Sequence, residues 1–306
     1  MLETLKYKKL TWVDLETPTA DEVKTLVDKY SLHPSVAEEL LEPTLRPRVD
    51  FYPGHIYLIL HFPVFDSKKM EYVSSEVDFV LGKNFLITAH YRTIPTLNEM
   101  VKVLEADAIL KADSLIGDTG ALFFFILMQL YSFTQKQLDH LQLNIDDISE
   151  RMFEKRNNYD DLIRRISHRR KDTLDFRRAL QLHREIFNSL NKPSDILGKD
   201  FGRYLNNISG EFMRIWQIAE NQRETIASIQ ETTDSLLNHR SNEIMKVLSV
   251  MAFVTFPLIL TSSIFGMNAV ASMPFVGKKG DFWIVIGIMI ISTSIMYAFF
   301  KRKKWF

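Results

Sequence analysis

From Val247 to Gly277 the chain carries no charged side chain, and from Phe282 to Phe300 it again carries none. No other feature restricts folding as strongly. Buried core helices are usually shorter and keep a polar side, whereas the stretch from Val247 to Ile264 is long enough to cross a bilayer. The second run has 19 residues, about 28 Å as a helix. The short loop between them, Phe265 to Asp281, makes the pair a hairpin. Basic residues set its orientation. Lys301, Arg302, Lys303 and Lys304 form a tail beside the second run, and His239, Arg240 and Lys246 precede the first. The loop offers only Lys278 and Lys279, so the positive-inside rule expects both termini in the cytoplasm of a multi-pass inner (plasma) membrane protein. The start, "MLETLKYKKLTWVDLE", has no apolar core of a cleaved secretory signal.

The remainder reads differently. Lys plus Arg and Asp plus Glu balance at 38 each, so no overall charge draws the chain to nucleic acid. There are no cysteines, which excludes disulfides and thiolate metal sites. Residues 1–115 read as a mixed α/β domain: "LTWVDL" (10–15), "HIYLILHFPVF" (55–65), "EYVSSEVDFVLG" (71–82) and "NFLITAHY" (84–91) are strand-like. Thr19 and Glu22 form the capping box of a helix between the first two, and "SLHPSVAEELL" (31–41) is a second short helix. With only 11 glycines in the chain and none set in a phosphate-binding loop, this domain reads as a scaffold.

Residues 116–203 read as a helical hairpin, with one helix from Thr119 to about Phe153 and another from Tyr159 to Leu190. "NKPSDILGKDFG" (191–202) then breaks the pattern. Residues 204–264 read as a stalk helix that continues into the first span, roughly 90 Å long. Phe212, Ile215, Ala219, Ile226, Ile229 and Leu236 keep heptad-like spacing, so the stalk should pack on copies of itself or on the hairpin. Further on, Asn242, Met245, Ser249, Ala252, Phe256 and Ile259 fall at steps of three and four and form one stripe. The stripe either lines an axis between copies or packs against a neighbouring helix; periodicity leaves both readings open. Pro257 within the span reads as a kink. "RRISHRRKDTLDFRR" (164–178) reads as a solvated basic face, with anionic lipid or acids on a neighbouring helix as the other candidates. The scattered His168 and His183 read as structural.

One polar interruption remains. Gly266, Met267 and Asn268 sit at the outer end of the first span. Glycine permits tight backbone and asparagine supplies a neutral oxygen acceptor. A ring of such oxygens could face the waters of a hydrated cation, and magnesium keeps its waters reluctantly released. Alone, the tripeptide is equally a helix-terminal turn. In context, "SIFGMN" closes the first of two spans, "NEIMKVLSVMAFVTFPLILT" precedes it, "MP" follows, and a basic tail ends the chain. This resembles the CorA family of divalent-cation channels, whose mark is that tripeptide; "LRPRVDFY" (45–52) is similar to the family more weakly.

The resemblance implies a homopentamer in the bilayer, with an α/β cytoplasmic domain, long helices and two spans per chain (265–281 the external loop, 282–300 the second span, 301–306 the tail). It implies that Gly266, Met267 and Asn268 form the outer filter, with Asn268 touching a hydrated ion. Asn242, Met245 and Leu248 would line the inner pore, the latter two as a constriction. It implies Mg²⁺ as cargo and as regulator from inside, with Co²⁺ or Ni²⁺ also carried; one branch carries Zn²⁺ with proton coupling. The sequence departs from the family in three places. Phe275, not an acid, follows Met273 and Pro274; Lys278 and Lys279 place positive charge at a cation entrance; and Phe265 stands where Tyr is frequent.

A channel of this kind needs no motor, since a doubly charged ion gains about 4.6 kcal/mol per 100 mV. A non-conducting membrane-anchored sensor is the alternative, and it would need no polar tripeptide. An enzyme has no support from paired carboxylates, a nucleophile elbow or a ligand cluster.

Overall fold

Strand β4 (His55–Asp66) is buried without interruption from His55 to Val64, and β5 (Glu71–Gly82) from Ser75 to Gly82. Strands that read as continuous rather than alternating apolar runs must be covered on both faces. The computed structural model supplies both covers. It describes all residues except 1, 8, 45, 111–116, 155–158, 192–194, 268–279 and 304–306. These residues form two compact units, Met1–Gln230 and Glu231–Phe306.

In the first unit β4 and β5 are joined by β1 (Leu2–Tyr7), β2 (Leu10–Glu16), β3 (Arg48–Tyr52) and β6 (Phe85–His90) in a sheet ordered β1-β2-β6-β5-β4-β3. Only β2 and β6 pair in parallel, in the register Val13 to Ile87; the other pairs are antiparallel. One face carries Val13, Leu15, Tyr57, Ile59, Val80, Ile87 and Ala89, covered by α1 (Ala20–Tyr30) and α2 (Pro34–Glu39). The capping box of α1 is present, with Thr19 and Glu22 bonded reciprocally. The other face meets α4 (Thr119–Arg151): Phe79 stacks edge-on against Phe123 at 5.3 Å and Phe62 against Tyr131 at 5.9 Å. Between β6 and α4 lies α3 (Pro95–Leu110), which sequence reading did not mark.

Two glycines let the chain close around the start of α4. Asp118 caps it by accepting from the Ala121 N–H at 2.8 Å. A Cβ on Gly198, whose φ is +82°, would fall 2.1 Å from Asp118 Oδ2. A Cβ on Gly120 would fall 2.1 Å from the Leu197 carbonyl oxygen. Both positions therefore exclude side chains.

The helix expected from Tyr159 to Leu190 is two: α5 (Tyr159–Leu180) and α6 (His183–Leu190). No Gly or Pro stands at the break. Its cause is tertiary, because His183 is fully buried, with Nδ1 2.8 Å from the Tyr131 hydroxyl and Nε2 2.9 Å from the His61 carbonyl oxygen. The carbonyl can only accept, so Nε2 carries the hydrogen and Nδ1 accepts from Tyr131. Burial holds the imidazole neutral, with its pKa lowered to about 3.

Helix α7 (Phe201–Phe265) has 65 residues and runs through the boundary between the units. Its heptad residues Phe212, Ile215, Ala219, Ile226 and Ile229 are buried within the chain. Phe212 packs with Tyr131 and Phe187, and the Gln222 amide donates to the Leu138 carbonyl at 2.9 Å. Within the chain, the stalk packs on the hairpin, one of the two partners expected for it. The second unit holds the rest of α7 and α8 (Asp281–Arg302), both apolar and long enough to cross a membrane.

Candidate ion path

In the second unit α7 and α8 pack side by side, Val250 and Phe300 being buried and the Phe253 and Phe300 rings 6.3 Å apart. Near the other end, Ser262, Phe265 and Gly266 face Phe282, Val285, Ile286 and Met289 across a cavity. The α7 residues that α8 shelters are Val250, Val254, Pro257, Leu258, Thr261 and Phe265, all buried or half-buried. They recur at three and four and so make one face.

The predicted stripe lies nearly opposite. Met245, Leu248, Phe256 and Ile259 are 59%, 54%, 68% and 66% exposed, and Asn242 and Ala252 are exposed as well. Ser249 is half-buried. Within one chain, then, the stripe is not the surface that packs against α8. Large apolar side chains left exposed in a row call for lipid or another chain.

Hydroxyls in the span turn back on their own helix. Ser249 Oγ donates to the Met245 carbonyl at 2.8 Å, Thr255 Oγ1 to that of Met251 at 2.8 Å and Thr261 Oγ1 to that of Pro257 at 2.7 Å. Thr293 of α8 does the same to Met289 at 2.9 Å. Such bonds satisfy a polar group at no cost in partners. The helix continues through Pro257 to Phe265.

At the C-terminal end of α7, the Gly266 N–H donates to the Ser262 carbonyl at 2.9 Å and the Met267 N–H to that of Ile264 at 3.3 Å. Gly266 does not take a left-handed φ. A Cβ there would stand 3.1 Å from the Ser262 carbonyl oxygen, a tight contact relieved only if one side gives by a few tenths of an ångström. Met267 is exposed. Asn268, Met273, Pro274, Phe275, Lys278, Lys279 and Lys304 lie outside the described residues. Lys301 and Arg302 occupy the exposed last turn of α8 and Lys303 follows it.

The basic segment 164–178 is not simply a solvated face. Arg165 pairs with Asp147 of α4 at 2.7 Å and Asp161 at 3.1 Å, Lys171 with Glu71 of β5, and Arg177 approaches Glu220 of α7 at 3.6 Å. Arg169 pairs with Asp172 at 3.0 Å, and Arg170 donates to the Gln230 side chain at 2.9 Å. The acids on neighbouring elements are its partners. Acids on a neighbouring helix were among the alternatives for this segment; which acids they are was not legible, because Glu71 and Glu220 lie far along the chain.

Comparison with known proteins places this architecture. The chain is 23% identical to the cobalt/magnesium transport protein CorA of Thermotoga maritima, over 96% of its own length and 83% of that protein's. Its fold matches the CorA magnesium transporter of Methanocaldococcus jannaschii with a TM-score of 0.86 at 20% identity, covering 99% of this chain and 94% of the other. It also matches the ZntB cytoplasmic domain of Vibrio parahaemolyticus, with a TM-score of 0.61 at 12% identity, over 76% and 90% of the two chains. The family model described as CorA-like Mg²⁺ transporter protein matches residues 7–302, so this chain belongs to that family of divalent-cation transporters and not to a family of enzymes.

Proposed function

We propose that the chain assembles as a homopentamer in the inner membrane, both termini cytoplasmic, and admits Mg²⁺ down the membrane potential. The observation that carries the reading is the exposed α7 stripe, opposite the face that α8 covers and ending at Gly266-Met267. Five copies with the stripe turned inward would line an axis with Asn242, Met245, Leu248, Ser249, Ala252, Phe256 and Ile259. Asn268 would then hold the waters of the entering ion at the mouth, with Gly266 and Met267 shaping the turn. A neutral amide suits this task, because it orients hydration water without gripping a doubly charged ion. Met245 and Leu248 form the constriction, and Mg²⁺ on the inside favours the closed state.

Reconstituted protein in liposomes loaded with a Mg²⁺-sensitive dye tests the reading. A membrane potential, negative inside, should drive entry of Mg²⁺, and of Co²⁺ or Ni²⁺, without a proton gradient. Zn²⁺ with proton coupling is the second reading, favoured by the backbone likeness to the ZntB cytoplasmic domain; entry only when a proton gradient is imposed would select it. A well-assembled protein that passes none of these ions would leave a membrane-anchored sensor.

A further inference from the structure

Two acids stand side by side on β5 with no cation assigned to them. Glu76 and Asp78 are two residues apart on one face of the strand, 5% and 0% exposed. Facing them are His61 and Tyr57 of β4, Glu39 of α2, Arg48 of β3, and Tyr91 and Arg92 just after β6. Each nearby cation is occupied elsewhere. Arg48 pairs with Glu39 and, at 2.8 Å, with Asp50, while Arg92 pairs with Asp66 at 3.1 Å. His61 Nε2 lies 3.0 Å from the Thr44 carbonyl, which can only accept, and burial lowers the pKa of the ring. Its 3.6 Å approach to Glu76 Oε2 is therefore no ion pair.

The remaining oxygens show what is missing. Glu76 Oε2 accepts from the Thr44 N–H at 2.6 Å, and Asp78 Oδ2 from the Tyr91 hydroxyl at 3.0 Å. Glu76 Oε1 and Asp78 Oδ1 are buried with no donor supplied by any other group, and the two carboxyl groups are within hydrogen-bonding reach of each other. Two ionised carboxylates so placed would repel in a low dielectric, offset only in part by the Thr44 N–H, the Tyr91 hydroxyl and the more distant Arg48. A single proton between them satisfies both oxygens and removes the repulsion.

We propose that Glu76 and Asp78 form a proton-binding site, one proton bridging Glu76 Oε1 and Asp78 Oδ1, whose occupancy sets how firmly the connection after α2 is held. Burial raises both groups above the ordinary carboxylate range, Glu76 to about 7, and at Asp78 the neighbouring Glu76 adds to the rise. The pair thus titrates as a unit above the ordinary carboxylate range. Thr44 is the element it controls, since its N–H is held by Glu76 and its carbonyl by His61. When the proton leaves, repulsion from Asp78 displaces the Glu76 carboxylate, and Thr44 loses its anchor. A cavity of about 510 Å³, lined by Pro43, Thr44, His61, Glu76, Tyr91 and Arg92 among others, gives the proton a route and the connection room to shift. The site lies wholly in the unit of residues 1–230, and its readouts do not depend on any ion being transported.

The test is pH-difference infrared spectroscopy of the full-length protein in lipid nanodiscs. Wild type at pH 6 should show a buried protonated-carboxyl band that fades as the pH is raised to 9, and the double variant Glu76→Gln/Asp78→Asn should lack it. Absence of the band from wild type at pH 6, or its persistence unchanged in the double variant, overturns the site. Should the double variant not assemble, the wild-type titration alone decides. Hydrogen exchange reads the second half of the proposal. At pH 8, peptides covering Thr44 should exchange several-fold faster in wild type than in Glu76→Gln, with the difference vanishing at pH 6. Equal exchange at both pH values overturns the coupling to Thr44.

Discussion

His183 shows how one side chain can fix both a helix boundary and a pH limit. Its folded pKa is lowered to about 3 by burial, against an ordinary value near 6.5. The unfolded chain therefore binds more protons than the folded one between these values, and stability rises with pH there. The contribution is fully present above about pH 6.5 and is lost as the pH falls toward 3, by about 1.4 kcal/mol per unit. The thermal midpoint of wild type should drop between pH 7 and pH 4.5, and His183→Gln should drop less over that interval while starting lower. Parallel curves for the two proteins would remove His183 as the cause. At the proposed gate, Leu248 is 54% exposed in the single chain. Leu248→Asp should raise Mg²⁺ flux severalfold and blunt inhibition from inside, because five apolar side chains would no longer dewet the path. Unchanged flux in a correctly assembled variant would mean that Leu248 does not face the axis. Asn268→Ala is expected to abolish uptake with assembly intact, and Asn268→Asp to slow ion exit by adding charge at the mouth. Wild-type uptake by Asn268→Ala would reduce the tripeptide to a turn.

Among the elements, those whose cause is local were legible in the sequence and those whose cause is distant were not. The Thr19–Glu22 box, the strands β2, β4, β5 and β6, and the long apolar ends of the chain follow from patterns within a few residues. The edge strands β1 and β3 were not marked, since edge positions leave alternation weak: β3 is only half-buried along most of its length. The split between α5 and α6 has no local signal, being set by Tyr131 and His61, which lie 52 and 122 residues away in sequence. For segment 164–178, acids on a neighbouring helix were an open alternative, but Glu71 and Glu220 could not be named for the same reason. Of the proposed path, the residue types and the stripe were legible, but which face α8 covers was not, because α8 presents few distinguishing side chains. The start of α4 is a place to measure such causes. Asp118→Ala should cost about 1 kcal/mol by removing the cap on Ala121 N–H, read as a lowered denaturation midpoint. No change in midpoint would mean that water replaces the cap fully. At the far end of α8, neutralising Lys301 to Lys304 should impair insertion or topology more than gating; normal insertion with a shifted ion dependence would contradict an anchoring role.

For the whole molecule, two lysines in the outer loop oppose the proposed traffic. Replacing Lys278 and Lys279 with Glu should improve uptake at low external Mg²⁺, most clearly at low ionic strength, where screening is weakest. Identical uptake at every ionic strength would place these residues away from the entrance. The hydroxyls folded back within α7 carry a further consequence. Between Asn242 and Ile259 the proposed stripe has one hydroxyl, that of Ser249, and it is spent on its own helix, so this length of wall would present little that can replace a water molecule lost from an ion. An ion crossing it keeps its hydration shell whole, and hydrated Mg²⁺, Co²⁺ and Ni²⁺ differ far less in size than the bare ions differ in dehydration cost. On the proposed path the interior of the span would open or shut without choosing, and discrimination would fall to the ends, where the sequence places Asn268 and Asn242. Replacing Ser249 with Ala should accordingly leave the order of preference among the three ions unchanged. If that order moves, the hydroxyl swings off its carbonyl and serves as a ligand, and the choice is made within the membrane.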